Sequence, residues 1–318
     1  MNELILVTGA CGFVGRHLCN KLNSMNISVL GIDNLSNTEV NQPDLNFELI
    51  IGDLSEKATY KELEKFQINT IIHCAAQSSN ELSYYNPDLD LASNQIATLK
   101  LLEYSKKNNI KRFMFTSSMS VYGEQNSYPT SENHKYNPLS YYAIHKVAAE
   151  QYVMLYNKFY DLNTTIFRLY TTYGYGQNLS NRDQGLLSIY MSYIVKNEPI
   201  IVKGSLGRLR DIIHVDDVVS AIILSMKNEN TFGQVYNLGS GEILTIKEII
   251  EKLCEHYNKS TDCTLIEEQG TIGDPHTTHA NIEKISRAID WKPSIKPLEG
   301  IRKTVEMQLK KTTNNERI

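Results

Sequence analysis

The chain has 318 residues, 41% of them hydrophobic and 21% charged, enough apolar material for one large domain or two unequal ones. Its formal charge of −4 supplies no basic field for a nucleic-acid backbone or an anionic membrane, so neither is an expected partner. A phosphate-bearing small ligand stays open, because backbone amides and a few local arginines can hold one without net positive charge.

Apolar runs of strand length alternate with helix-period stretches from the first residues. Leu4–Thr8 reads as a strand entered at once from Met1, which leaves no room for a signal peptide. No apolar run approaches the ~20 residues of a membrane span, and a cytoplasmic location is expected. A helical pattern from Phe13 to Leu22 follows, then strand-like runs at Ser28–Ile32, Phe47–Ile51, Thr70–Cys74, Lys111–Thr116 and Thr164–Leu169. Helical stretches lie between them, notably Asp88–Lys107 and Tyr142–Phe159. Strands buried on both faces, each leading into a helix, predict a doubly wound α/β fold with a parallel sheet.

After Leu169 the alternation loosens. Tyr170–Gln184, rich in Tyr, Gly and Asn, reads as a loop over a ligand cleft. Ile212–Met226 and Val235–Leu238 read as a return to the sheet. The expected division is a dinucleotide-binding Rossmann domain at 1–170, with return segments at about 211–238, and a smaller C-terminal α/β substrate lobe at 171–210 and 239–318. Cys11, Cys19, Cys74, Cys254 and Cys263 are scattered without a CxxC pair, so they read as small buried side chains rather than disulfides or a metal site.

Two clusters carry chemistry. Gly9, Gly12 and Gly15 follow the first strand and open the first helix, a spacing that lets backbone approach a pyrophosphate at a helix N-terminus. Asp33 ends the second strand, where a carboxylate can accept from ribose hydroxyls and repel a 2′-phosphate, so NAD is preferred over NADP. Asp53 follows the third strand, placed either to reach an adenine amino group or to serve a turn.

The second cluster is Ser118, Tyr142 and Lys146. Tyr142 is the only tyrosine with a lysine four residues on, which puts both side chains on one helix face. A nearby ammonium favours the phenolate, and Ser118, at the end of the fifth strand, can hold a substrate oxygen beside it. Tyr141, followed at the same spacing by His145, reads as packing.

The segments TGACGFVG, GIDNLSN, HCAAQSS, TSSMSVYG, YAIHKVAAE, RLYTTYG, RDIIHVDD and NLGSGE stand in the order found in extended short-chain dehydrogenases. The chain resembles that superfamily over essentially its whole length, and within it the nucleotide-sugar epimerases of the UDP-glucose 4-epimerase type. The resemblance implies Ser118, Tyr142 and Lys146 as the catalytic set. It implies an NAD site lined by Phe13, Val14, Asp33, Asn34, Asp53, Leu54, Cys74, Ala75, Ala76, Gln77, Ser78, Asn94 and Tyr170, and a homodimer. Tyr142 would take a proton from a sugar hydroxyl, with the sugar epimerised at C4 through a transient ketone.

Departures mark the substrate end. Related 4,6-dehydratases carry Thr-Asp-Glu where this chain has Ser118-Met119-Ser120, which argues against elimination. Thr171 replaces the usual asparagine beside the diphosphate, and Thr271 replaces a substrate-gripping arginine. Arg210 matches a nucleotide-contacting arginine of the family, and Arg182 and Arg208 are candidates to replace the missing one, or else solvated surface cations. The same machinery could serve a nucleotide-sugar dehydrogenase or reductase, and a non-catalytic NAD-binding regulator is the remote alternative.

Overall fold

The structure is a computed structural model that describes residues 3–37, 45–258 and 263–315, with side chains up to residue 310. The chain begins β1 (Leu4–Thr8), α1 (Phe13–Ser24), β2 (Ser28–Asp33), β3 (Glu48–Ile51), α2 (Lys57–Leu63) and β4 (Thr70–His73). It continues α3 (Asn80–Tyr85), α4 (Pro87–Asp90), α5 (Ala97–Lys107), β5 (Arg112–Ser118), α6 (Tyr141–Phe159), β6 (Asn163–Leu169), β7 (Thr171–Tyr173) and α7 (Leu186–Lys196). Then come β8 (Ile200–Lys203), β9 (Leu209–His214), α8 (Val215–Ser225), β10 (Gln234–Leu238), β11 (Ile243–Thr245) and α9 (Ile246–His256). The last elements are β12 (Leu265–Glu268), β13 (Thr277–Thr278), α10 (Glu283–Ile289) and α11 (Pro297–Asn315).

Seven strands form one parallel sheet in the order β10-β6-β5-β4-β1-β2-β3. Its central strands are apolar on both sides because both sides are covered. Ile5, Val7, Ile72 and Met114 meet α1 and α8 in one core; Leu6, Ile71, Phe113 and Phe115 meet α5 and α6 in the other. Each such side chain contributes roughly 1.5–3 kcal/mol on burial, so the unbroken apolar runs are what two covered faces demand. The doubly wound fold expected from the alternation is the fold found.

The register sets Thr8 level with Ile32 and His73, and His73 level with Phe115, so the strands end at a common edge. His73 lies within that edge, bonded at 2.7 Å to Thr8 Oγ1 and at 3.0 Å to Thr98 Oγ1. Burial pulls its pKa down to about 3, so the imidazole is a neutral bridge.

The smaller lobe carries a sheet in the order β11-β9-β13 with β7 also paired to β9, and a separate pair β12-β8. α7, α9 and α11 enclose its core of Leu187, Met191, Ile246, Leu253, Ile301 and Val305.

Three expectations change. The helix expected over Asp88–Lys107 is interrupted between α4 and α5 by a six-residue π turn, Leu91–Ile96. Hydrophobic period cannot reveal such a turn, because one extra residue per turn leaves the apolar face nearly in place. The loop expected over Tyr170–Gln184 opens with β7, paired to β9. Of the two stretches expected to rejoin the sheet, Gln234–Leu238 does so as β10, but Ile212–Met226 does not. Its first residues belong to β9 in the smaller lobe, and the remainder forms α8, whose Val215, Val218 and Ile222 pack beneath the large sheet. Its apolar run is long enough for a strand and a buried helix in succession, which composition alone does not separate.

Candidate active site

The common edge opens on a cleft of about 810 Å³ between the sheet and the smaller lobe. At its floor Gly9 has φ +65°, and a Cβ there would stand 2.7 Å from the Ala75 amide nitrogen. A Cβ on Gly15 would stand 2.1 Å from the Gly9 carbonyl oxygen, so β1 and α1 meet at glycine distance. α1 starts from Gly12 with no side-chain cap and no acidic residue in its first turn. By contrast Ser140 caps α6, and Thr245 and Glu248 form a capping box on α9. Backbone amides at the start of α1, with the positive end of its dipole, suit an anion such as a pyrophosphate.

Asp33 closes this loop. Its carboxylate accepts from the Cys11 amide at 2.9 Å and the Leu35 amide at 2.8 Å, and it also lines the cleft. Asp53 accepts from Asn34 Nδ2 at 2.9 Å and the Ser55 amide at 2.7 Å, so it serves a turn, and it also lines the cleft. Phe13, Val14, Leu54, Cys74, Ala75, Ala76, Gln77, Ser78 and Tyr170 complete the lining at this end. Asn94 does not line it. The π turn buries Asn94 behind Gln77, where its amide donates to the Gln77 carbonyl and to Asp90, each at 2.9 Å. Its Oδ1 is buried without a hydrogen-bond partner.

Ser118 ends β5 and accepts from the Ser120 amide at 3.2 Å, which fixes its hydroxyl. Tyr142 and Lys146 stand one turn apart on α6, buried to 7% and 1% exposure. The Ser118 side chain faces the Tyr142 phenol and favours its ionised form. Lys146 Nζ donates to the Thr116 carbonyl at 3.0 Å and lies 5.9 Å from the centre of the Tyr142 ring. The three residues expected to act together thus share one end of the cleft. Tyr141, 43% exposed, packs edge-on against Tyr84 instead.

Burial dominates the electrostatics here. It pushes the Tyr142 phenol up to about 12, against the lowering contact with Ser118, and pulls the Lys146 ammonium down to about 8. The ammonium alone therefore does not make Tyr142 a base at neutral pH. A further positive charge beside the ring is required.

At the far end Arg208 and Arg210 project from the start of β9 toward one carboxylate, Asp274. Arg210 donates to it at 2.8 Å and to the His276 carbonyl at 3.0 Å; Arg208 pairs with the same oxygen and with the Lys203 carbonyl. Two guanidiniums buried on one carboxylate leave a net positive wall, suited to a diphosphate. Arg182 also lines the cleft but is tied at 2.5 Å to Glu198 and at 2.9 Å to Ser192. Thr171 and Thr271 line it too.

Sequence reasoning missed several residues. Lys203 and Glu81, 122 residues apart, form a 2.5 Å ion pair between the smaller lobe and α3 at the cleft. Tyr190 and Tyr193 line it from α7, whose apolar composition reads as core. Asp90 is bonded at 2.5 Å to His145, which lies on the Tyr142–Lys146 helix itself. Only the i, i+1 placement of His145 beside Lys146 hinted at the last pair. Among the described residues no group of three or more His, Cys, Asp or Glu side chains could hold a metal ion, and no helix is long and apolar enough to cross a membrane.

The profile of the NAD dependent epimerase/dehydratase family matches residues 5–239. A UDP-glucose 4-epimerase of Mycolicibacterium smegmatis is 30% identical over 307 residues, covering 95% of this chain and 97% of that protein. The crystal structure of a Thermotoga maritima UDP-glucose 4-epimerase with UDP-glucose superposes with a TM-score of 0.91 at 28% identity, covering 98% of this chain and all of that one. A Thermus thermophilus UDP-glucose 4-epimerase in complex with NAD superposes with a TM-score of 0.87 at 27% identity, covering 96% and 99%.

Proposed function

The chain belongs to the NAD dependent epimerase/dehydratase family, and from that premise we propose that it is an NAD-dependent epimerase of a nucleotide-diphosphate sugar, acting at C4. The observation that carries the reading is the meeting of Ser118, Tyr142 and Lys146 at one end of a cleft whose other end holds Arg208 and Arg210. A nucleotide sugar carries a reacting carbinol and a diphosphate in one molecule, and one cleft is lined by groups suited to each.

The glycine loop, the uncapped start of α1 and Asp33 would hold the pyrophosphate and adenosine ribose of NAD, with Asn34, Asp53 and Leu54 around the adenine. Bound there, NAD would supply reversible two-electron hydride chemistry at the sugar carbon. Tyr142 accepts the proton of the sugar hydroxyl, and Ser118 hydrogen-bonds the same oxygen. Lys146 holds positive charge against the phenolate and, through Thr116, against the end of β5. Arg210, with Arg208, fixes the diphosphate, so the sugar is anchored from a distance while the reacting carbon turns. Thr171 lines the same cleft. Met119 lines the cleft where a dehydratase of the resembling kind has an acid, and the neighbouring Ser120 hydroxyl is buried without a partner.

Incubation with UDP-, GDP-, CDP- and dTDP-hexoses tests this. An isomer of unchanged mass, formed without added reductant, is expected. Loss of water would mean a dehydratase, and stoichiometric NADH with a released ketosugar a dehydrogenase.

A homodimer is proposed on the outer face of α5 and α6. Leu99, Ile144, Leu155 and Phe159 are 36–64% exposed on these two helices, an apolar face that a second copy of the chain would cover. A cytoplasmic site of action is proposed as well, on the scattered spacing of the five cysteines.

A further inference from the structure

Asp90 is completely buried at the end of α4, just before the π turn. Its carboxylate accepts from three side chains: Gln77 Nε2 at 2.8 Å, Asn94 Nδ2 at 2.9 Å and His145 Nδ1 at 2.5 Å. One of these donors is ionisable. His145 sits on α6 between Tyr142 and Lys146 in sequence, and its side chain retains 11% exposure, a route for a proton from solvent.

We propose that Asp90 and His145 form a buried, proton-dependent charge pair that sets the working protonation of Tyr142 and Lys146. Both are positioning residues that act through those two side chains, and the proposal takes the identity of the reacting pair from the epimerase reading. A bare carboxylate at Asp90 favours the Lys146 ammonium and opposes the Tyr142 phenolate. A protonated His145 cancels that field.

The other groups facing the pair sharpen the argument. Lys146 also faces Cys74 and Glu150, and Tyr142 faces Ser118. Glu150 already has a permanent counterion, since Arg168 binds it at 2.7 Å and both are buried. Asp90 is the other buried carboxylate facing Lys146, and its counterion is a histidine, which is a cation only with a second proton bound, whereas arginine is always one. Compensation of one carboxylate is fixed; compensation of the other depends on a proton.

Three variants of the full chain test the pair: His145→Asn, Asp90→Asn and the double variant. The first readout is the titration of Lys146, followed by the 13Cε resonance of labelled lysine and assigned with Lys146→Met, with and without NAD. The second is the pH profile of kcat. In His145→Asn the Lys146 midpoint and the acid limb of kcat should both rise by about one to two pH units, the effect of one uncompensated charge at this range. In the double variant both should return close to wild type, because carboxylate and cation leave together, and in Asp90→Asn neither should rise, because the carboxylate that favours the ammonium and opposes the phenolate is gone. Unchanged far-UV dichroism shows that the variants fold; if His145→Asn does not, His145→Gln takes its place. A midpoint and limb that do not move in the single variant overturn the proposal, as does a shift that the double variant fails to reverse. A shifted Lys146 midpoint in a protein that epimerises no sugar supports the pair and counts against the epimerase reading.

Discussion

The Lys146 ammonium donates to the Thr116 carbonyl oxygen at 3.0 Å, which ties the start of α6 to the end of β5. The tie holds Tyr142 and Ser118, one on each element, in register with each other. Chemistry and fold therefore share one hydrogen bond.

Tyr142→Phe should abolish epimerisation while leaving fold and NAD content intact, because only the phenolic oxygen is lost. Bringing the phenol from about 12 to near 7 takes about 7 kcal/mol of differential stabilisation. Lys146→Met should remove part of it, lowering kcat and moving its acid limb toward alkaline pH. A sugar deuterated at C4 should keep its label in the wild-type reaction; washout into solvent would refute the scheme.

Asp33→Ala should narrow the preference for NAD over NADP, since the carboxylate repels a 2′-phosphate. It should also weaken NAD itself, because Asp33 pins the Cys11 and Leu35 amides. Calorimetric titration of both nucleotides checks this, and equal affinities in the unmutated protein would refute it.

Arg210→Ala should raise the sugar-nucleotide KM strongly, on the order of 10- to 100-fold for loss of a charge-assisted contact, with NAD affinity unchanged. Arg182→Ala, tied as it is to Glu198, should raise KM far less. Steady-state kinetics on the substrate identified by the panel decide both.

His73 makes stability fall in acid. Its pKa is about 3 when folded, against about 6.5 for a free imidazole, so below about 6.5 the unfolded chain binds a proton that the folded one refuses. The stabilisation is complete above that value and is lost as pH falls toward 3. Between pH 7 and pH 5 the loss is about 2 kcal/mol from this group. Urea unfolding of wild type and His73→Gln at the two pH values should show a smaller drop in the variant.

Phe159→Ser combined with Leu155→Ser should shift the proposed dimer toward monomer in sedimentation analysis. Unaltered sedimentation in the double variant would place the dimer contact elsewhere.

The sheet was legible because its strands are covered on both faces and so carry unbroken apolar runs. The glycine loop, Asp33 and the Tyr142–Lys146 pair were legible because backbone approach and helical spacing leave local marks. Other features leave none. The π turn around Asn94 shifts one residue within an apolar helix, and β9 and α8 share a single apolar run. Asp274, which gathers Arg208 and Arg210, and the Lys203–Glu81 pair arise from segments far apart in the chain.

The chain completes its large sheet with β10 only after it has built β7, β8 and β9 of the smaller lobe, and it then goes back to add β11 and β12. The two halves are interlaced rather than placed in tandem. A graft that exchanges the sugar-binding half as one block would carry β10 with it and leave β6 with an unpaired edge. Changes of sugar preference in this scaffold are therefore accessible by replacing side chains and loops at the cleft, and closed to recombination at a single joint.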